Sequence, residues 1–428
     1  MSVKVNRAVL SNGLRVVHNY GPDSAMVTVD ILYNVGARDE VYTRTGMAHL
    51  FEHLMFGGSV HVPQFDKVIE DAGGKNNAWT SNDFTNFYDI LPAVNLETAL
   101  YLESDRMLSL SFSPSSLEVQ RSVVIEEFKQ QCLNRPYGDL MHHLRVLLYG
   151  KEPSTAHPYA WPTIGLEPEH IARVTMDDVR EWFFAHYAPN NAVLAICGGV
   201  EWTEALEAVK RWFGDIPRRE IPPRVLPSPQ FPTEDVIETI RGDVPTPVMV
   251  MAFPMARYGT MEYIAADAIT DILSAGRASR LRRDLVVNSE DGLFVDVDAS
   301  ILGAEEEGFV MVDAVLSDYS PEALAEARRR VLESLRRLAT PGDVSEYELE
   351  RVMNKFESTF LFRTANARAR AEELAMAEMH GQDINTIVAH QRSLTPDSLT
   401  SEARRLFCEN ASATLYYLPA EQSPVNAI

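Results

Sequence analysis

Thr45–Ser59 reads TGMAHLFEHLMFGGS. Met47, Leu50, Phe51, Leu54 and Met55 recur at helical spacing, and Gly57-Gly58 stops the pattern. On such a helix His49 and His53 stand at i and i+4, so both imidazoles share a face and can reach one ion. Glu52 lies three residues after His49 and one before His53, and it reaches the same side without taking a ligand position. This H-x-x-E-H order inverts the commoner H-E-x-x-H zinc helix. Catalytic zinc takes three protein ligands and keeps a position open for water. It also needs a carboxylate to accept the proton of that water. His49 and His53 are two candidate ligands and Glu52 is the candidate base; the third ligand has to come from elsewhere. Without a partner, two imidazoles and a carboxylate on an apolar helix would cost desolvation.

The chain around this helix reads as a duplication. Val27–Tyr33 (VTVDILY) is a strand candidate, and Pro247–Phe253 (PVMVMAF) is another, 220 residues on. Each half also ends in a capped helix followed by an apolar strand. Thr175 opens the first, which runs through Tyr187 to the strand Ala192–Cys197; Thr395-Pro396 opens the second, which runs through Phe407 to Ala413–Leu418. At the same shift His49, Glu52 and His53 correspond to Ile269, Ile272 and Leu273, so the second copy is expected to be metal-free. Pro217, Pro222, Pro223, Pro227, Pro229 and Pro232 crowd the middle of the chain, which reads as an extended linker. The expected division is a zinc-binding catalytic domain at 1–215, a Pro-rich linker at 216–235 and a homologous metal-free domain at 236–428. Asn12-Gly13 signals a hairpin, and one long helical pattern runs from about Glu346 to His380. Hairpin strands with helices in blocks imply an α+β fold. Each domain is then a mostly antiparallel sheet with helices packed on one face.

Composition limits the function classes. A chain of 428 residues suggests two or more domains. No stretch approaches the roughly 18 apolar residues of a membrane span. Lys plus Arg is 39 against 61 for Asp plus Glu, a formal charge of −22. That charge repels nucleic-acid phosphates and anionic membrane surfaces, so neither is an expected partner. It suits basic, unfolded peptides. Three widely spaced cysteines, Cys132, Cys197 and Cys408, do not make a disulfide framework or a Cys-based zinc site, and they suit a reducing compartment. The opening MSVKVNRAVLSNGL has no apolar signal region, so a cytoplasmic location is expected, or a periplasmic one if a leader was removed.

The H-x-x-E-H helix sits in a wider frame. Tyr33-Asn-Val-Gly-Ala-Arg-Asp-Glu40 precedes it and Asn77-Ala78-Trp79-Thr80 follows. His157-Pro158-Tyr159 with Ile164-Gly165, and Tyr187-Ala-Pro-Asn-Asn191, come later. This frame resembles peptidase family M16, the pitrilysin or inverzincin family, which includes insulysin and the mitochondrial processing peptidase. The resemblance covers nearly the whole chain and resembles most a short, bacterial-type, zinc-bearing subunit. It implies the M16/LuxS-like metallohydrolase fold, a Zn2+ cofactor and metalloendopeptidase activity on peptides. In the family the third ligand closes a stretch like Arg-x-Val-Val-x-x-Glu. Arg121-Ser-Val-Val-Ile-Glu126-Glu127 matches, which puts Glu127 at the ligand position. Helical periodicity by itself does not choose between Glu126 and Glu127. Relatives often carry a further glutamate seven residues earlier; Gln120 stands there, a candidate hydrogen-bonding support. The resemblance also makes Asn77 and Ala78 part of an edge strand that pairs with extended substrate backbone.

The second half departs from the family pattern. Complete relatives carry an Arg and a Tyr, seven apart, after a Gly-rich S-x-R-L turn, and these hold the substrate carbonyl and the developing oxyanion. The turn survives as Ser274-Ala-Gly276-Arg-Ala-Ser279-Arg280-Leu281. The clamp positions fall on Val286 and Val295, and no tyrosine occurs between Tyr263 and Tyr319. The implied partner is a homologous M16 subunit that lacks H-x-x-E-H and supplies the clamp in a heterodimer. Two other readings remain open. One is a noncatalytic peptide-binding or scaffolding subunit; the other is a self-sufficient peptidase using Arg282 or Arg283.

Overall fold

The computed structural model describes residues 3–420. They form two compact units. The first holds residues up to 128 with 161–226 and 358–387; the second holds 129–160, 227–357 and 388 onward.

In the first unit β1 (Asn6–Val9) and β2 (Arg15–Tyr20) make the hairpin that Asn12-Gly13 signals, with Gly13 at φ +92°. Adding β3 (Met26–Tyr33), β4 (Lys75–Thr80), β5 (Thr85–Pro92) and β6 (Ala192–Gly198) gives a six-stranded sheet in the order β1-β2-β6-β3-β5-β4. β2 and β6 are parallel and the other pairs antiparallel. Among the described residues β4 pairs with β5 alone, which leaves it an edge strand. Strand alternation sends Val27, Val29, Ile31 and Tyr33 to the face that packs on helix α1 (Met47–Met55) and on helices Leu96–Ser109 and Trp202–Phe213.

The second unit holds β7 (Val236–Gly242), β8 (Val248–Met255), β9 (Phe294–Leu302), β10 (Gly308–Leu316) and β11 (Ala413–Pro419) in the order β7-β11-β8-β10-β9. With β1 set aside this is the first sheet's order, and the parallel pair recurs as β7 with β11. The duplication read from two sequence matches is thus present in the topology. Ile269, Ile272 and Leu273, on helix Met261–Ser274, are fully buried in this unit's core.

The compact units cut across the chain halves at 1–215 and 236–428. Helix Leu140–Tyr149 packs on β8 and β11 of the second unit, and helix Ala367–Met379 packs on β2, β3 and β6 of the first. The physical reason lies in the strands. β6 is fully buried along its length, so its second face, with Val193, Ala195 and Cys197, needs a cover as much as its first. The single helical pattern read over Glu346–His380 is two helices, Glu346–Ala365 and Ala367–Met379. Asn366 breaks it: its side-chain oxygen accepts from the amides of Arg368 and Ala369, a local bond that competes with helix continuation. Thr175 and Thr395 cap their helices as read, each accepting from an amide three residues on. Residues 217–235 carry neither helix nor strand. No described helix is long and apolar enough to cross a membrane.

Candidate metal centre

α1 begins at Gly46, whose φ of +85° favours glycine. A Cβ there would also lie 2.8 Å from Ile171 Cδ1 and 2.9 Å from the Ile164 carbonyl oxygen. The helix start is held from outside. The buried Glu40 carboxylate accepts from Gly46 N at 2.9 Å, Ala48 N at 2.8 Å and Trp161 Nε1 at 2.9 Å. These bonds satisfy amides that a helix N-terminus otherwise leaves open. Burial pushes the Glu40 carboxyl up to about 8 against the pull of its N–H donors. Leu50, Phe51, Leu54 and Met55 anchor α1 in the core, with the Phe51 ring 4.4 Å from that of Tyr187. The opposite face presents His49, Glu52 and His53.

Helix Pro114–Phe128 packs against α1 and supplies the third group. Val124 seats it in the core, and Arg121 donates to the Ala172 and Val174 carbonyls. Among the described residues one cluster of metal-ligating type forms: His49, His53 and Glu127. His49 Nε2 is 3.3 Å from His53 Nε2 and 3.7 Å from Glu127 Oε2; His53 Nε2 is 3.5 Å from Glu127 Oε2. Donor atoms around a tetrahedral ion at about 2.1 Å stand about 3.4 Å apart. The three donors have that spacing and that chemistry, so they fit zinc. Their side chains are between 15% and 30% exposed, which leaves room on one side for water or substrate. Burial, and secondarily the neighbouring His53, lowers the His49 pKa to about 4, so its imidazole is neutral and able to ligate at neutral pH.

Glu52 shares the face but not the cluster. Burial raises its pKa and the Glu127 charge adds to this, while a hydrogen bond from Thr80 lowers it. Thr80 Oγ1 donates to Glu52 Oε2 at 2.5 Å. Asn77 and Ala78 lie on edge strand β4, where Ala78 packs against the core beside α1. Gln120 is half-buried on the same helix as Glu127, seven residues earlier and so on the same face. In the second unit Val286 packs against the core and Val295 is exposed on β9. Arg280 of the surviving turn is buried and paired with Asp343 and Glu348. Arg282 pairs with Asp296, and Arg283 with Asp284. Two residues of the site were not singled out from sequence: Thr80, which lay inside the Asn77–Thr80 frame, and Glu40, which closed the Tyr33–Glu40 frame. Thr80 lies 28 residues from Glu52, and the partners of Glu40 lie 6, 8 and 121 residues on, so neither set of bonds follows from local spacing.

The family model described as insulinase (peptidase family M16) matches residues 15–144, and that described as peptidase M16 inactive domain matches 173–356. The zinc protease PqqE of Helicobacter pylori is 25% identical over 97% of this chain and 93% of its own. The mitochondrial-processing peptidase subunit beta of Saccharomyces cerevisiae is 23% identical over 85% of this chain and 80% of its own. The crystal structure of a protease from Helicobacter pylori matches with a TM-score of 0.85, at 24% identity, over 98% of this chain and all of that one. The first model covers the half that carries the His-His-Glu cluster, and the second falls on the half whose matching helix is hydrocarbon. The two models, in that order along one chain, make this protein a member of peptidase family M16.

Proposed function

We propose that the chain is a zinc-dependent metalloendopeptidase subunit acting on unfolded peptides or oligopeptides. The observation that carries this is the convergence of His49, His53 and Glu127 at tetrahedral spacing, with Glu52 on the helix of the two histidines. A bound zinc ion would polarise water and the scissile carbonyl. His49, His53 and Glu127 would hold it, with Gln120 on the helix face that carries Glu127. Glu52, its pKa raised by burial, accepts the proton of the attacking water and later passes it to the leaving amine. Asn77 and Ala78 on β4 pair with extended substrate backbone, so binding reads main chain more than side chains.

The second half bears on whether the chain acts alone. Val286 and Val295 have no side-chain donor for a developing oxyanion, and Arg282 and Arg283 are held by carboxylates. One lost donor costs about 10² to 10³ in rate. A homologous M16 subunit with an Arg-Tyr pair and without H-x-x-E-H supplies the missing contacts. The missing clamp also supports a second reading, a peptide-binding subunit without catalysis. The deciding experiment measures zinc by elemental analysis and turnover of an unstructured peptide, with and without the candidate partner. Turnover that rises on adding the partner and falls with Glu52→Gln is expected. A zinc-loaded chain that is fully active alone would overturn the partner proposal. Peptide binding without hydrolysis in either state would favour the second reading.

A further inference from the structure

Thr80 is the last residue of β4, paired with Thr85 across the turn into β5. Its hydroxyl is the one hydrogen-bonding partner of the Glu52 carboxylate among the described residues. A glutamate carboxyl rotates broadly about its last torsion unless something holds it. A base whose reacting oxygen drifts by about 1 Å can lose about 10²-fold in rate. The strand that carries this hydroxyl also carries Asn77 and Ala78, three and two residues earlier. From this geometry we propose that Thr80 is a positioning residue: it holds one carboxylate oxygen of Glu52, leaves the other for the proton of the attacking water, and ties the base to the substrate-pairing edge strand. The proposal rests on the reading of Glu52 as the base.

Thr80→Val removes the hydroxyl but keeps a β-branched side chain suited to a strand, and Thr80→Ser restores the hydroxyl. Both are compared with wild type, Glu52→Gln and the double variant Thr80→Val/Glu52→Gln, in whichever assembly is active. Zinc content is read by elemental analysis. Binding of a fluorescent unstructured peptide is read on the zinc-free protein. For Thr80→Val the expected result is a fall in kcat of roughly 10- to 100-fold, with KM, zinc content and zinc-free peptide binding unchanged. Thr80→Ser should recover most of kcat. In the Glu52→Gln background the valine should cost nothing further, because the group it positions has gone. Full kcat in Thr80→Val, alongside an inactive Glu52→Gln, overturns the Thr80 proposal alone. Loss of zinc or of peptide binding in Thr80→Val, without rescue by serine, shows a structural role and also overturns it. Full activity of Glu52→Gln, or no turnover by the wild type in any assembly, removes the base reading and the proposal with it.

Discussion

Replacing Glu40 by Gln tests how the metal-bearing helix is held. Glu40 is buried, and its carboxyl has its ordinary value of 4.5 pushed up to about 8 by burial. Three N–H donors, Gly46 N, Ala48 N and Trp161 Nε1, act in the opposite direction. Because the folded value exceeds the unfolded one, the folded chain holds this proton more tightly. The stability it contributes is complete below pH 4.5 and is lost as pH rises toward 8. The limiting slope is about 1.4 kcal/mol per pH unit, so about 2 to 3 kcal/mol separates pH 5 from pH 7. Glutamine does not titrate, and groups common to both proteins cancel in the difference at each pH. The stability of wild type minus Glu40→Gln should therefore fall by about 2 to 3 kcal/mol over that interval. In a unit of this size that corresponds to about 5 to 10 °C in melting temperature. All five tryptophans, Trp79, Trp161, Trp182, Trp202 and Trp212, belong to the unit that contains Glu40, so tryptophan fluorescence follows its unfolding selectively. Chelator in every sample keeps pH-linked metal binding out of the comparison. Melting temperatures of the two proteins that move in parallel from pH 5 to pH 8 would refute the reasoning. They would mean that the three N–H donors outweigh burial and that Glu40 is ionised throughout.

The remaining predictions concern the metal centre and its substrate. The chain should bind one zinc, and Glu127→Gln should weaken it because an amide is a poorer ligand than a carboxylate; unchanged zinc content in that variant would refute the ligand assignment. Glu126→Gln should leave zinc content as it is. Glu52→Gln should keep zinc and lose at least about 10²-fold in peptide hydrolysis, measured as initial rates on an unstructured peptide; full activity would exclude Glu52 as base. Given the charge of −22, a basic unfolded peptide should bind more tightly at low salt than at high salt. Affinity independent of salt for both basic and acidic peptides would remove that expectation.

Much of this protein was decided by local sequence. The helical spacing of His49, Glu52 and His53 fixes their common face whatever surrounds α1, because a helix repeats every 3.6 residues. Thr175 and Thr395 specify helix starts through bonds to amides three residues away, and Asn12-Gly13 specifies a two-strand hairpin. The duplication was legible for the same reason: matching strands and capped helices recur in chain order, and the two sheets repeat one strand order. What tertiary structure decided involves groups distant along the chain. Glu127 reaches the imidazoles because Val124 and Arg121 set the rotation of a helix that begins 59 residues after α1 ends, which periodicity alone left open between Glu126 and Glu127. Thr80 reaches Glu52 only because an edge strand and α1 lie side by side in the folded unit. The assignment of residues 129–160 and 358–387 to units other than those of their chain neighbours is likewise a matter of packing. A sheet buried on both faces needs a helix on each, and the sequence of a strand shows that it will be covered without showing which distant helix covers it.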